Sequence, residues 1–235
     1  AVKTQSLYAF TLRNNPVDLT LWKYLWNSSG TGALSPDSSL SFTYSFNLNG
    51  TEYYQHMRGC RPTSGTLSVS RGMWDQTMTF ICKDITVPAT STGDGGTPVY
   101  QSAETSSSPI VHSDGGGSPF TYNSISYGER SFSTTVNRNM AVMAVNGETD
   151  ITYTKATDRA ITFSADVFSG TASSETALYT LYESKDADAA TYKFNSSGPV
   201  TLTYANCVIT DYSYTHAAGS ADALIESITC RAESC

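Results

Sequence analysis

The chain has 235 residues, of which 15% are charged, and its 14 Lys and Arg are scattered against a formal net charge of −7. It has room for a core of its own and no basic footprint for gripping phosphates. Ser, Thr, Gly and 15 Tyr take the place of charge, a composition of strands rather than helices, and one β-dominated domain spanning residues 1–235 follows. No apolar run is long enough to cross a bilayer as a helix, and Ala1-Val2-Lys3 is not followed by a signal-peptide hydrophobic region, so the expectation is a soluble chain unless a leader has been removed.

From the N-terminus, residues 6–12 alternate weakly and predict an opening strand or arm. Asn15-Pro16 with Asp18 predicts a helix start, Leu19, Trp22, Leu25 and Trp26 give it one apolar stripe, and Asn27-Ser28-Ser29-Gly30 ends it. Trp22 and Trp26 fall at helical spacing and read as core anchors rather than as a ligand-stacking pair. Residues 39–46 and 51–57 form a predicted hairpin around Asn49-Gly50, a turn pair that tolerates positive φ. A second hairpin pairs residues 66–71 with 77–87 across Gly72-Met73-Trp74-Asp75. Residues 88–130 are more than half Gly, Ser, Thr and Pro, and predict a long projecting loop.

Phe132, Thr134 and Val136 then alternate as a strand, residues 140–145 are irregular, and residues 151–154 and 160–168 read as strands. Ser173-Ser174 before Glu175, with Leu178, Leu181 and Tyr182 as a stripe, predicts a second helix running to about Lys185. The closing unit, residues 199–231, is a predicted antiparallel hairpin. Val200, Leu202 and Tyr204 share one face of its first segment, and Val208, Thr210, Tyr212 and Tyr214 one face of its second. After Ala217-Ala218-Gly219-Ser220, Leu224, Ile228 and Cys230 point one way and Ile225, Ser227, Thr229 and Arg231 the other. A hairpin with one apolar and one hydroxyl-rich face can pack on a core and offer an edge to another chain.

The five cysteines, Cys60, Cys82, Cys207, Cys230 and Cys235, include no C-x-x-C pair and no histidine neighbours, which argues against zinc. An odd, widely spaced set fits thiols in a reducing compartment better than a disulfide framework, with a Cys60–Cys82 bridge left open. His56, His112 and His216 accompany no nucleophile motif, and no Gly-rich loop carries the Lys-Ser/Thr that cradles phosphate. The enzymatic alternative is a jelly-roll glycan hydrolase using Glu148 and Asp150, but the third position of a Glu-x-Asp-x-x-Glu pattern is Tyr153, which removes a needed carboxylate. A secreted β-sandwich that binds carbohydrate through its tyrosines is the non-enzymatic form of that alternative.

The order of several blocks carries a resemblance. An early helix after a short arm is followed by Met57-Arg58-Gly59-Cys60-Arg61-Pro62 leading into Thr66-Leu67-Ser68-Val69-Ser70, then by Asp158-Arg159-Ala160-Ile161-Thr162-Phe163, and the chain closes on Ala223-Leu224-Ile225-Glu226-Ser227-Ile228-Thr229. In this order the chain resembles the tail tube (major tail) proteins of long-tailed phages and related tailed viruses. The resemblance implies a mainly β fold, an antiparallel β-sandwich with one or two flanking helices, six copies of which form a ring whose inner strands join into one barrel. Rings then stack into the tube of the virion tail, assembled in the host cytoplasm beside tail tip, tape measure and neck proteins, and DNA passes through the lumen without specific binding. No enzymatic activity, cofactor, metal or membrane is implied. Val208, Thr210, Tyr212, Tyr214, Leu224, Ile225, Glu226 and Ile228 become the candidate inter-subunit strand. Gly93, Asp94, Gly95, Gly96, Asp114, Gly115, Gly116 and Gly117 become the candidate inter-ring loop. Glu52, Asp84, Asp166 and Asp211 become candidate acids of a lumen that must not hold the phosphates it passes.

Overall fold

A computed structural model of the chain describes residues 8–16, 19–26, 39–70, 73–86, 119–143, 153–169, 177–194, 200–215 and 224–233. Strand β1 (Tyr8–Asn14) is followed by a 3-10 turn (Thr20–Trp22) that runs into the single helical turn α1 (Lys23–Trp26). Next come β2 (Leu40–Leu48), β3 (Thr51–Ser70), β4 (Met73–Cys82), β5 (Asp84–Ile85), β6 (Phe120–Tyr122), β7 (Ile125–Met143) and β8 (Tyr153–Ser169). Helix α2 (Ala177–Ser184), β9 (Asp188–Phe194), β10 (Val200–Thr215) and β11 (Leu224–Ala232) complete the described chain.

Every strand pairing is antiparallel, in the order β1-β4-β3-β7-β6-β9-β10-β11-β8, and β8 returns to pair with β7. Strands β7, β6, β9, β10, β11 and β8 therefore close on themselves, while β3, β4 and β1 extend the sheet beyond β7 and β2 hangs on β3. Two strands serve both layers of the resulting sandwich. The start of β7 pairs with β6 and its middle with β3; the first half of β10 pairs with β9 and its second half with β11. Between the layers lies an aromatic core, with Phe132 stacked on Tyr192 at 4.1 Å, Phe163 tilted against Tyr204 at 4.7 Å, and Trp74 edge-on to Tyr192 at 5.3 Å. Alternation explains the burial: Phe132, Thr134 and Val136 of β7, and Ile161, Phe163, Ala165 and Val167 of β8, are all buried.

The expected mainly β sandwich with one or two flanking helices is what forms, with two short helices, while residues 51–57 and 66–71, expected in separate hairpins, are one strand, β3. Other elements also differ from the sequence reading. The first helix begins at Thr20 rather than after Asn15, because β1 stays paired with β4 through Asn14↔Gln76. Asn15 then donates its side-chain amide to the Trp74 carbonyl at 2.7 Å instead of capping a helix. Second, Trp74 and Asp75 belong to β4, so only residues 71–72 separate it from β3, and Trp74 is a fully buried core residue rather than part of a turn. Third, residues 120–130 of the expected loop are β6 and the start of β7, joined by Asn123 and Ser124 in the left-handed region (φ 47° and 62°). Fourth, Tyr153–Ser169 is one strand where two were expected, and residues 140–143, expected to be irregular, are the end of β7, which pairs with β8 on both sides of a register shift between Asn139 and Met140.

In β10, bulges between Tyr204 and Cys207 and between Ile209 and Asp211 each shift the alternation by one residue, and Asn206 takes φ 51°. The inward series is therefore Leu202, Tyr204, Cys207, Ile209 and Tyr212, so Val208 and Thr210 do not share Tyr212's face. The second helix ends at Ser184 with Lys185 in the left-handed conformation (φ 57°), and its expected start at residues 173–175 lies outside the described residues.

The short helical segment is seated on β3 by a missing side chain. Trp22 and Leu25, both fully buried, lie over Gly65, where a Cβ would run into the Leu25 side chain and press on the Trp22 ring at 3.1 Å. Trp22 Nε1 donates to Gln76 Oε1 at 2.8 Å, and Gln76 Nε2 donates to Asn14 Oδ1 at 2.8 Å, so the indole also registers the segment against β4. Gly65→Ala is expected to lower stability by about 1–3 kcal/mol through overpacking, read as a fall in urea midpoint at unchanged slope.

Tyr127 is a second weak point. Its hydroxyl is buried with no hydrogen-bond partner among the described residues, and burial, helped by the Glu226 carboxylate, pushes its pKa up to about 12. The unfolded chain loses this proton near pH 10 and the folded one near pH 12, so the contribution is whole below pH 10 and is lost as pH rises toward 12. Tyr127→Phe should be neutral or slightly stabilising at pH 7. Between pH 10 and 12 it should lose up to about 2–3 kcal/mol less than the parent in pH-dependent urea titrations.

Candidate functional site

The outward face of the large layer is a wall of small hydroxyls. Its rows are set by strand register, since side chains opposite one another in neighbouring strands share a face. One row runs Asp75–Ser68–Ser133–Ser164–Thr229–Asp211 across β4, β3, β7, β8, β11 and β10. A parallel row runs Arg13–Thr77–Thr66–Thr135–Thr162–Arg231, starting in β1. The opposite parity of the same strands fills the core, which is why the sequence alternates apolar with Ser or Thr rather than with Lys or Glu.

Charge on this wall is sparse, and part of it is held in an ion pair. Arg13 pairs with Asp75 at 2.8 Å, which raises the guanidinium pKa through that hydrogen bond and the carboxylate's charge. Asp166 sits between two strands and accepts from Ser131 at 2.8 Å and from Ser227 at 2.6 Å, tying β7, β8 and β11 together. Arg231 and Asp211 are exposed. Within the two rows, Arg13 and Arg231 thus stand against Asp75 and Asp211, with Asp166 between Ser131 and Ser227 beside them.

The candidate lumen acids divide accordingly. Asp166 and Asp211 lie on the hydroxyl wall, opposite Ser227 and Thr229. Glu52 and Asp84 do not: Glu52 is opposite Asn47 near the tip of the β2–β3 hairpin, and Asp84 of β5 faces Arg58 at 3.8 Å. The candidate inter-subunit strand also divides. Leu224, Ile225, Glu226 and Ile228 belong to β11, which is hydrogen-bonded on both sides, to β10 and to β8, and Glu226 and Ile228 are buried. Val208, Thr210, Tyr212 and Tyr214 belong to the half of β10 that pairs only with β11 among the described residues, and Tyr214 is 66% exposed. At the far end of the same layer, β1 pairs only with β4 among the described residues. Gly93 through Gly117, the candidate inter-ring loop, lies outside the described residues, as do His112, His216, Glu148 and Asp150.

Two features escaped the sequence reading. Glu226 is fully buried on the core side of β11 and accepts the Tyr212 hydroxyl at 2.6 Å, although nothing in the Leu-Ile-Glu-Ser pattern distinguishes it from an exposed acid. Burial, and then this hydrogen bond, raise the Tyr212 pKa. The other is the hairpin of β2 and β3, whose Tyr44, Phe46 and Tyr53 rings stack in sequence at 5.7 and 5.6 Å while Tyr44 and Leu48 remain exposed. Its Asn49-Gly50 turn, at φ 52° and 84°, was readable.

No group of three or more metal-ligating side chains occurs among the described residues, and no described helix is long and apolar enough to cross a membrane. His56 lies on β3 with Nδ1 3.0 Å from the Thr43 hydroxyl, the placement of a structural strand residue. Asp166→Ala should cost about 1–3 kcal/mol, because it strands two seryl donors, Ser131 and Ser227. Asp166→Asn, which keeps one acceptor, should recover part of that loss in thermal melts.

None of the curated proteins matches the chain. The family described as phage tail tube protein matches residues 9–232, from within β1 to the last residue of β11, and so takes in the whole wall and the core behind it. That span is nearly the entire sequence, and the chain belongs to the phage tail tube protein family.

Proposed function

We propose that the protein polymerises as stacked rings, six copies to a ring, into a tail tube that delivers viral DNA, and that the hydroxyl wall lines its lumen. The observation that carries this reading is the layer with two free ends: β1 at one and residues 208–215 of β10 at the other, each with one backbone edge unpaired among the described residues. Joining the β1 edge of one copy to the β10 edge of the next satisfies both rows of backbone groups and makes the hydroxyl face continuous around a closed ring. Val208, Thr210, Tyr212 and Tyr214 are then the contact strand, with β11 behind them as support. A ring joint of this kind is heterologous, and its closure is what distinguishes a tube from an open filament.

Such a lining suits a conduit. Ser and Thr hydroxyls hydrogen-bond water and make no ion pair with phosphate, while Asp166 and Asp211 keep the wall from turning positive. Every Lys or Arg that reached a phosphate would release counterions and add a binding contribution repeated in each ring, and DNA would stick. Ring-to-ring contact falls in this reading to the Gly-rich stretch from Gly93 to Gly117, and tail tip, tape measure and neck proteins are the partners at the two ends. The role is structural and the place of action is the virion tail, reached by assembly in the host cytoplasm.

Electron microscopy of the purified chain at high concentration, with tail initiators supplied, is expected to show rings or tubes of uniform diameter. A strictly monomeric species in both microscopy and sedimentation would overturn the reading. The double variant Asp166→Lys, Asp211→Lys is expected still to assemble but to retain DNA. The logarithm of retention should fall with the logarithm of salt more steeply by about 0.9 for each lysine that reaches a phosphate.

A further inference from the structure

Cys60 ends the hairpin half of β3, and Cys82 is the last residue of β4. The ladders on either side keep one register, Arg61↔Ile81 above and Arg58↔Asp84 with Met57↔Ile85 below, which sets Cys60 directly opposite Cys82. Both side chains point into the core, at 0% and 1% exposure, and their sulfurs are 2.7 Å apart. A disulfide bond spans about 2.05 Å, so the two thiols lie within about 0.7 Å of bonding distance. The backbones are also squeezed together beside them: Gly59 takes φ 59°, and a Cβ there would sit 2.9 Å from the Cβ of Lys83. No comparable register relates the other two described cysteines, because Cys230 stands opposite Ile209 rather than Cys207.

We propose that Cys60 and Cys82 form a modification site, a buried dithiol that a hydroperoxide converts into a cross-strand disulfide clamping the root of the β2–β3 hairpin. The two sulfurs stand 2.7 Å apart, so ionisation of one leaves the other placed to resolve it, and their contact holds the proton on Cys60 and favours ionisation at Cys82, against the opposing effect of burial. The Cys82 thiolate attacks one oxygen of hydrogen peroxide, breaking the O–O bond and leaving a sulfenic acid on Cys82 while hydroxide departs and takes up the thiol proton as water. The Cys60 sulfur then displaces the sulfenic hydroxyl, forming the S–S bond and releasing a second water; two thiols are oxidised and one peroxide is reduced. A small oxidant is the right class, because bulky disulfides cannot reach side chains sealed in the core.

The site acts where β3 changes partners. Below Cys60 the strand pairs with β2, and from Ser64 onward it pairs with β7. A bridge to β4 at that point fixes the departing hairpin to the main layer. The thiol form leaves the hairpin held there by noncovalent contacts alone, and the disulfide form does not.

The test treats the folded, full-length chain with hydrogen peroxide, alkylates under denaturing conditions, and maps peptides without reduction. The expected product is one linked pair joining Cys60 to Cys82, lighter by two hydrogens than the sum of its parts, with Cys207 and Cys230 recovered as alkylated thiols. Recovery of Cys60 and Cys82 alkylated, over-oxidised to sulfinic acid, or bridged to Cys207 or Cys230 would overturn the proposal. The oxidised chain should also melt several degrees above its dithiothreitol-reduced form, and Cys82→Ala should abolish the difference. Equal melting of the two forms despite a mapped bridge would overturn the clamping role.

Discussion

Strand β7 is the constraint on which the rest of the structure depends. Its 19 residues must satisfy β8 along one edge, and β6 and then β3 along the other. Both layers of the sandwich meet in it, and a one-residue slip would turn Phe132, Thr134 and Val136 out and Ser131, Ser133 and Thr135 in. The stack of Phe132 on Tyr192, with Trp74 edge-on to both, is the penalty against that slip, since these rings fit only one parity. A bulge between Glu129 and Ser131 takes up the turn from one layer to the other, and a second shift, between Asn139 and Met140, falls beyond the stretch that pairs with β3.

The division between core and wall follows from that parity alone, and it was the most legible part of the sequence. Phe132, Thr134 and Val136, the Asn49-Gly50 hairpin and the stripe of Leu178 and Leu181 announce their structure by spacing, because local periodicity and turn chemistry are written in adjacent residues. The faces of β10 could not be read that way: two bulges reset the alternation, and nothing in Ala205-Asn206 or Ile209-Thr210 marks an extra residue except the tolerance of Asn206 for a left-handed φ. Trp74 was misplaced because a Gly-Met-Trp-Asp stretch looks like a turn until β3 pairs along it, Val69 opposite Trp74 and Ser70 opposite Met73.

The candidate site was legible in kind and not in membership. A hydroxyl-rich face facing away from an apolar one is visible in the closing segments, but which acids stand on it depends on pairings between strands far apart in sequence. Asp166 earns its place by meeting Ser131 and Ser227, 35 and 61 residues away. Glu52 and Asp84 lie elsewhere because β3 runs on past the sheet into its hairpin, where Glu52 meets Asn47 and Arg58 meets Asp84. Glu226 shows the opposite case, an acid whose burial beside Tyr212 no local pattern signals.

Pro62 stands at the border between the two halves of β3. It has no N–H to give to a ladder, a bulge separates it from Ser64 in the pairing with β4, and pairing with β7 begins only at Ser64. The hairpin half of β3 is thereby uncoupled from the register of the wall. Residues added in matched pairs to β2 and β3 would lengthen the projection while every row of the wall kept its partners. The fold therefore carries one appendage whose reach can change by steps of two residues, about 6.6 Å of strand, without disturbing the sandwich behind it.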